Sequence, residues 1–276
     1  MIEHLTFDEY RARDGINASM YKGSYESSME ELKVAMEKDH GTSDALEYGN
    51  LVHTAILEPD LLPGSFAVWS GGDKRTKAWK EFKDEHEGET IITQQQAESL
   101  PIIARNIAKD HEATRLMRGS DYEVCVSWTA SCGAKCKARI DILSDDRRCV
   151  ADIKTMANTN KWAFWNQVDK LGYWLQVGHY VEGVRQEFGL EHNPEFWFVC
   201  IGSVEPYSVI CRPMSAEYIE FSRQESIKMV NRIHVGRTTG CWTTLAQEEC
   251  IEEIPLPKKW REEKDISIRE VEACEI

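Results

Sequence analysis

Two aspartates and a lysine, Asp141, Asp152 and Lys154, sit in the stretch KARIDILSDDRRCVADIKT (137–155) with the spacing D-x10-D-x-K. A turn between Asp146 and Arg147 makes a symmetric hairpin in which facing residue numbers sum to 293. Leu143 then faces Val150, Ile142 faces Ala151, and Asp141 faces Asp152. Facing residues point to the same side of a sheet, with Cβ atoms ~5 Å apart, and side chains alternate along each strand. Lys154 therefore shares a side with both aspartates, while Ala138, Ile140, Ile142, Ala151 and Ile153 are expected to fill the other. Two facing carboxylates repel, and a divalent cation between them removes the repulsion. Mg²⁺ takes one or two carboxylates together with phosphate oxygens and waters. The chemistry that suits this set is metal-assisted phosphodiester hydrolysis, with Lys154 orienting a water or steadying a phosphate oxygen. On spacing alone, the same residues also suit a solvated strand pair.

Further residues belong to the same question. Glu123 opens the preceding strand, either as another carboxylate of the site or as an exposed strand end. Gln176 and Tyr180 are spaced i, i+4 and share a helix face with Tyr173. They form either a core stripe with one buried amide or a surface that steadies Lys154 and meets phosphates. Lys74, Arg75 and Lys77 are the densest basic cluster, either a solvated helix or a DNA-gripping one. Lys135, Lys137 and Arg139 share the strand side of Asp141 and line a candidate DNA path. Trp162, Trp165 and Trp174 read as core, with one of them as a wedge at a duplex end as the alternative.

The elements that must position these groups follow from local pattern. EVCVSWT (123–129), KCKARIDIL (135–143) and RRCVADIKT (147–155) read as a meander of three strands. EFWFVCIGSV (195–204) and YSVICRP (207–213) are two more. Helices are expected from a Ser19 cap through about residue 38, over 44–57 until Glu58-Pro59, over 74–87, 93–118 and 162–188, and over 215–236 from Ser215. Residues 60–73 read as loop, and the last 36 as an acidic, irregular tail. The class is α/β (α+β), a central sheet with helices before, between and after its strands.

Composition narrows the field. Of 276 residues, 33 are Lys or Arg and 47 Asp or Glu, a net charge of −14. That balance excludes whole-surface nucleic-acid binding but leaves room for a local basic groove beside metal-holding acids. Neither a signal pattern nor a long apolar run is present, so a cytoplasmic location without membrane contact is expected. Nine cysteines read as free thiols, and the Cys132-x3-Cys136 pair lacks the second pair a zinc site needs. No phosphate-binding loop, nucleophile elbow or H-E-x-x-H helix occurs.

With these residues in view, the D-x10-D-I-K-T pattern resembles the PD-(D/E)xK nuclease signature, with Ile140 where the motif's proline stands. GYWLQVGHY resembles the Q-x3-Y helix of RecB-type exonucleases, matching Gln176 and Tyr180. EYGNLVHTAILEPD resembles the G-x3-H-x3-LEP helix of RecE-type (exonuclease VIII) recombination nucleases, matching Gly49 and His53, and GINASMYK and IPLPKKW are similar to that family too. The resemblance implies a restriction-endonuclease-like core: a central mixed sheet flanked by helices, within one nuclease domain over 1–276. Its parts would be a helical 1–118, a catalytic 119–240 and a tail at 241–276. It implies Mg²⁺, or Mn²⁺, held by Asp141, Asp152, His53 and the Ile153 carbonyl, with Gln176 and Tyr180 at the catalytic lysine; Glu123 as a further ligand, and Lys74, Arg75, Lys137 and Arg139 as DNA contacts, are expected from position and charge. It further implies 5′→3′ digestion of linear double-stranded DNA ends, a homo-oligomeric ring, a single-strand annealing protein as partner, and a bacterial host's cytoplasm. The alternatives are a structure-specific or restriction-type endonuclease on the same core, and a non-catalytic DNA-binding module.

Overall fold

The computed structural model describes residues 5–38, 41–244 and 247, so the expected tail lies almost wholly outside the described residues. α1 (Phe7–Ala12) starts from a reciprocal Thr6–Glu9 capping box. The helix expected from Ser19 is instead a single 3-10 turn at Ala18–Met20, and α2 (Met29–Glu37) begins at a second capping box, Ser28–Glu31. The break has a physical cause: Tyr21 is fully buried, and the chain turns around it. α3 (Asp44–Leu57) has the expected span, capped by Ser43 and ended at Glu58-Pro59.

Part of the expected loop 60–73 is a strand. β1 (Phe66–Trp69) pairs in parallel with β2 (Thr90–Thr93), and α4 (Lys77–Glu85) joins them. The expected helix 93–118 is two helices, α5 (Gln94–Lys109) and α6 (His111–Met117). Asp110 takes an extended backbone between them and caps Ala113 N–H at 2.8 Å.

The central sheet contains β3 (Ser120–Thr129), β4 (Lys135–Ser144) and β5 (Cys149–Met156) as the expected meander. Next, α7 (Lys161–Lys170) and α8 (Tyr173–Phe188) cross to β6 (Glu195–Gly202), followed by β7 (Val209–Pro213) and α9 (Ala216–Thr239). Strand order is β3-β4-β5-β6-β7, with β5 and β6 parallel across the helical crossover and the other pairs antiparallel. This is a mixed sheet flanked by helices, the expected architecture. The expected helix 162–188 divides at Gly172, whose φ of +62° suits glycine.

Each sheet face carries a core. One joins Val124, Ala138, Ile140, Val150 and Phe198 to Val177 and Val181 of α8 and Ile233 of α9. The other joins Ile142, Ala151, Ile153 and Ile201 to Val52 of α3 and Ile103 of α5. Ile140 and Ile142 thus pack into different cores, contrary to the expected alternation. The phase changes at Asp141, opposite Glu123, whose φ of +51° breaks the pleat of β3. No described helix is long and apolar enough to cross a membrane.

Close contact between α8 and α9 depends on Gly178. A Cβ there would meet the Ser222 carbonyl oxygen at 2.0 Å. Gly178→Ala is expected to lower unfolding free energy by ~3 kcal/mol, since backbone must move to admit the methyl. Urea denaturation checks this, and an unchanged midpoint would contradict it.

Candidate metal and active site

β4 and β5 are paired in the expected register, Leu143 to Val150 and Ile142 to Ala151, and the ladder then stops. β5 continues along β6 for its whole length. Asp141 fills the opening: its Oδ2 accepts the Ile153 N–H at 2.8 Å. On the other side of β4, Tyr122 pairs with Ile142 and Val124 with Ile140, so Glu123 stands opposite Asp141. Glu123 and Asp141 therefore face each other across β3 and β4, and Asp141 and Asp152 each stand one residue beyond the last β4–β5 pair.

His53 comes from α3. Gly49, one turn earlier, lets that helix lie close to β5, because a Cβ there would meet Thr155 Oγ1 at 2.9 Å. His53 Nε2 is 3.0 Å from the Ile153 carbonyl, and Nδ1 is 3.4 Å from Asp141 Oδ2. Both ring nitrogens thus face oxygens, while a neutral imidazole has one N–H to give. With Nε2–H donated to Ile153, Nδ1 meets Asp141 favourably only when it carries a proton or both share a cation. The Ile153 carbonyl, expected as a ligand, accepts from His53 and fixes the ring.

The donor set fits a hard or borderline divalent cation. One ligand atom each from His53, Glu123 and Asp141 lies within 4.8 Å of the others. Burial first, then the Asp152 charge, raises the Asp141 pKa, against His53 and Lys154. Glu123 is pushed up to about 8 by burial and then by Asp141, with Arg139 opposing. Such strained carboxylates are stabilised by a shared cation.

Asp152, 1% exposed, belongs to a second, adjoining group. Its Oδ2 is ion-paired with Lys154 Nζ, and its Oδ1 accepts Gln176 Nε2–H at 2.7 Å. Gln176 Nε2 also donates to Tyr180 Oη at 2.9 Å, while its own Oε1 is buried without a hydrogen-bond partner. Burial acts against the Lys154 charge, but Asp152 and Asp141 outweigh it and raise the pKa, keeping the ammonium protonated. Tyr173, on the same α8 face, presents its ring 4.7 Å from Lys154 Nζ.

The expected DNA contacts are placed differently. Lys137 is 3% exposed, and its ammonium donates to the Tyr10, Arg11 and Arg13 carbonyls at the end of α1. It anchors the N-terminal segment and has no hydrogen left for DNA, which corrects the expectation. Arg139 is paired with Glu123 at 2.9 Å and Glu58 at 3.2 Å. Lys74 pairs with Asp44, Arg75 with Asp73, Lys77 with Glu81 and Lys135 with Asp14. Trp174 is buried as expected, whereas Trp162 and Trp165 are exposed on α7.

The metal-side groups open on a cleft of ≈ 810 Å³ lined by His53, Glu123, Arg139 and Tyr180, with Tyr10 and Asn17 from the N-terminal segment. That segment as a cleft wall was not evident from its polar, helical pattern. Lys22, beyond the other end of the α8 face, was missed as well; its local signal was the GINASMYK stretch.

No curated protein matches the sequence. Among solved structures, a "Putative exonuclease" from Eubacterium rectale has a TM-score of 0.60 at 20% identity, covering 92% of this chain and 96% of that one. At that identity the likeness speaks for the fold. SSO0001 reaches a TM-score of 0.28 at 11% identity, over 74% of this chain and 82% of that one, and carries no argument. A family model described as "PDDEXK-like domain of unknown function (DUF3799)" matches residues 17–250, a span that includes His53, Glu123, Asp141, Asp152, Lys154 and Gln176. With that match over most of its length, the chain belongs to the PDDEXK-like family DUF3799.

Proposed function

We propose that this protein is a divalent-metal-dependent deoxyribonuclease that digests linear double-stranded DNA from its ends, 5′→3′, using Mg²⁺ with Mn²⁺ as a substitute. The observation that carries the reading is the cluster of His53, Glu123 and Asp141, with the buried Asp152–Lys154 pair on the neighbouring β5. His53, Glu123 and Asp141 hold the cation, with Asp152 completing the site beside Lys154. A cation bound there supplies Lewis acidity to the scissile phosphate and a water of lowered pKa. Asp152 sets the Lys154 ammonium where it aligns the attacking water or a non-bridging oxygen. Gln176 locks the Asp152 carboxylate, so the pair is oriented before substrate arrives.

End-directed digestion, 3′ single-stranded products, a ring of copies, an annealing partner and a bacterial cytoplasmic setting rest on the RecE-type resemblance around Gly49 and His53. Linear and covalently closed plasmid, each incubated with Mg²⁺, separate the readings. The expected result is nucleotide release from linear DNA and an intact closed circle, with release stopped by EDTA and restored by excess Mg²⁺. Nicking of the circle would make the protein an endonuclease. No release from either DNA with Mg²⁺ or Mn²⁺ would make it a non-catalytic binding module.

A further inference from the structure

Of the basic side chains expected to meet DNA, Lys137 is spent inside the protein and Arg139, Lys74 and Arg75 are ion-paired, which raises the question of what holds the strand beside the reacting phosphate. One ammonium with no acid of its own among the described residues shares the Tyr173 ring with Lys154. It is Lys22, and its position is built.

Where β5 leaves β4, the N-terminal segment takes the vacated side. Ile16 N–H donates to the Lys135 carbonyl at 2.8 Å, and Lys137 N–H to the Ile16 carbonyl at 2.9 Å. Tyr21 is anchored in the core by Ser226 at 2.7 Å and His179 at 2.9 Å. His179, 0% exposed and bonded to the Lys137 carbonyl, has its pKa pushed down to about 4 by burial, so it is a neutral structural partner. The Lys22 backbone then rests on the α7–α8 joint. A Cβ on Gly172 would lie 1.5 Å from the Lys22 carbonyl oxygen, so only glycine admits this approach.

With its backbone fixed, Lys22 extends over Tyr173, its Nζ 5.4 Å from the ring centroid. Lys154 Nζ lies 4.7 Å from the same ring. One aromatic ring thus serves two ammonium groups. Lys154 is paired with Asp152, whereas among the described residues no carboxylate lies within ion-pair distance of Lys22. Burial first, then the Lys154 charge, lowers the Lys22 pKa to about 8, against Asp152 and Asp141. A half-buried cation beside another cation is unfavourable until an anion arrives. A phosphodiester is the anion this site would meet, and lysine binds phosphate as a point charge.

We propose that Lys22 contacts a DNA phosphate adjacent to the scissile one, on the Lys154 side of the site, and so aligns the strand for attack; the proposal rests on the nuclease reading. The test uses the full chain and a short duplex carrying one neutral methylphosphonate, placed in turn at each phosphate around the cleaved bond. Binding is read by fluorescence anisotropy in Ca²⁺ and cleavage by product release in Mg²⁺. Lys22→Gln is expected to raise Kd and KM ~10-fold and to flatten the dependence of log K on log salt by ~0.9, the loss of one phosphate contact. Lys22→Arg should restore most of both. One methylphosphonate next to the scissile bond should weaken wild type by a similar factor and add nothing in Lys22→Gln. Wild-type Kd and salt slope in Lys22→Gln, or a full methylphosphonate penalty persisting in that variant at every position, would overturn the proposal. A wild-type protein that binds but does not cleave defeats the nuclease reading instead, and the binding arm still decides Lys22.

Discussion

Asp141→Asn is expected to slow DNA cleavage by ~10³-fold or more, a loss of ~4 kcal/mol in transition-state stabilisation. The substitution is nearly isosteric. An amide oxygen still accepts the Ile153 N–H that closes the gap between β4 and β5, so the strand opening keeps its shape. What disappears is the charge that faces His53 Nδ1 and Glu123. Because burial and Asp152 already disfavour that charge, the metal-free variant should be at least as stable as wild type, while Mn²⁺ affinity read by titration calorimetry falls. A cleavage rate within tenfold of wild type, with unchanged Mn²⁺ affinity, would remove Asp141 from the metal site.

Lys154→Met is expected to act on two quantities at once. Cleavage should drop by ~10²–10⁴-fold, the range for losing a positioned proton-transfer or orienting group. Stability should also fall by ~3–5 kcal/mol, because Asp152 is 1% exposed and would keep a buried charge without its cation. The double variant Asp152→Asn/Lys154→Met separates the two effects. It removes both charges and keeps an acceptor for Gln176, so most of the stability should return while activity stays absent. Urea denaturation with a single-turnover cleavage assay reads both. A double variant no more stable than Lys154→Met alone would contradict the buried pair.

The part of the site legible in the sequence was the part set by short-range rules. Alternation and a short turn fixed the β4–β5 register, and the numbers that predict Ile142 opposite Ala151 hold in the structure. Ser215 capped α9 as its sequence indicates. The failures have identifiable physics. Asp110 and Gly172 interrupt helices whose apolar pattern runs on, so a cap or an αL glycine outweighed periodicity. β1 and β2 are four residues each, too short for alternation to register. The split of Ile140 and Ile142 between two cores follows from the backbone of Glu123, which no period-2 pattern can announce. Lys137 has the strand phase of a cleft residue, yet the carbonyls at the end of α1, far away in sequence, take its ammonium. Lys22 shares the Tyr173 ring with Lys154 only because the N-terminal segment fills the side of β4 that β5 abandons.

The account stands on a divalent cation held among His53, Glu123 and Asp141 beside the Asp152–Lys154 pair. Anomalous diffraction from crystals soaked in Mn²⁺ tests it directly. The predicted result is a peak within bonding distance of His53 Nδ1 and of carboxylate oxygens from Glu123 and Asp141, lost in Asp141→Asn. A saturating soak with no peak there, or with the ion bound elsewhere in the chain, would contradict it.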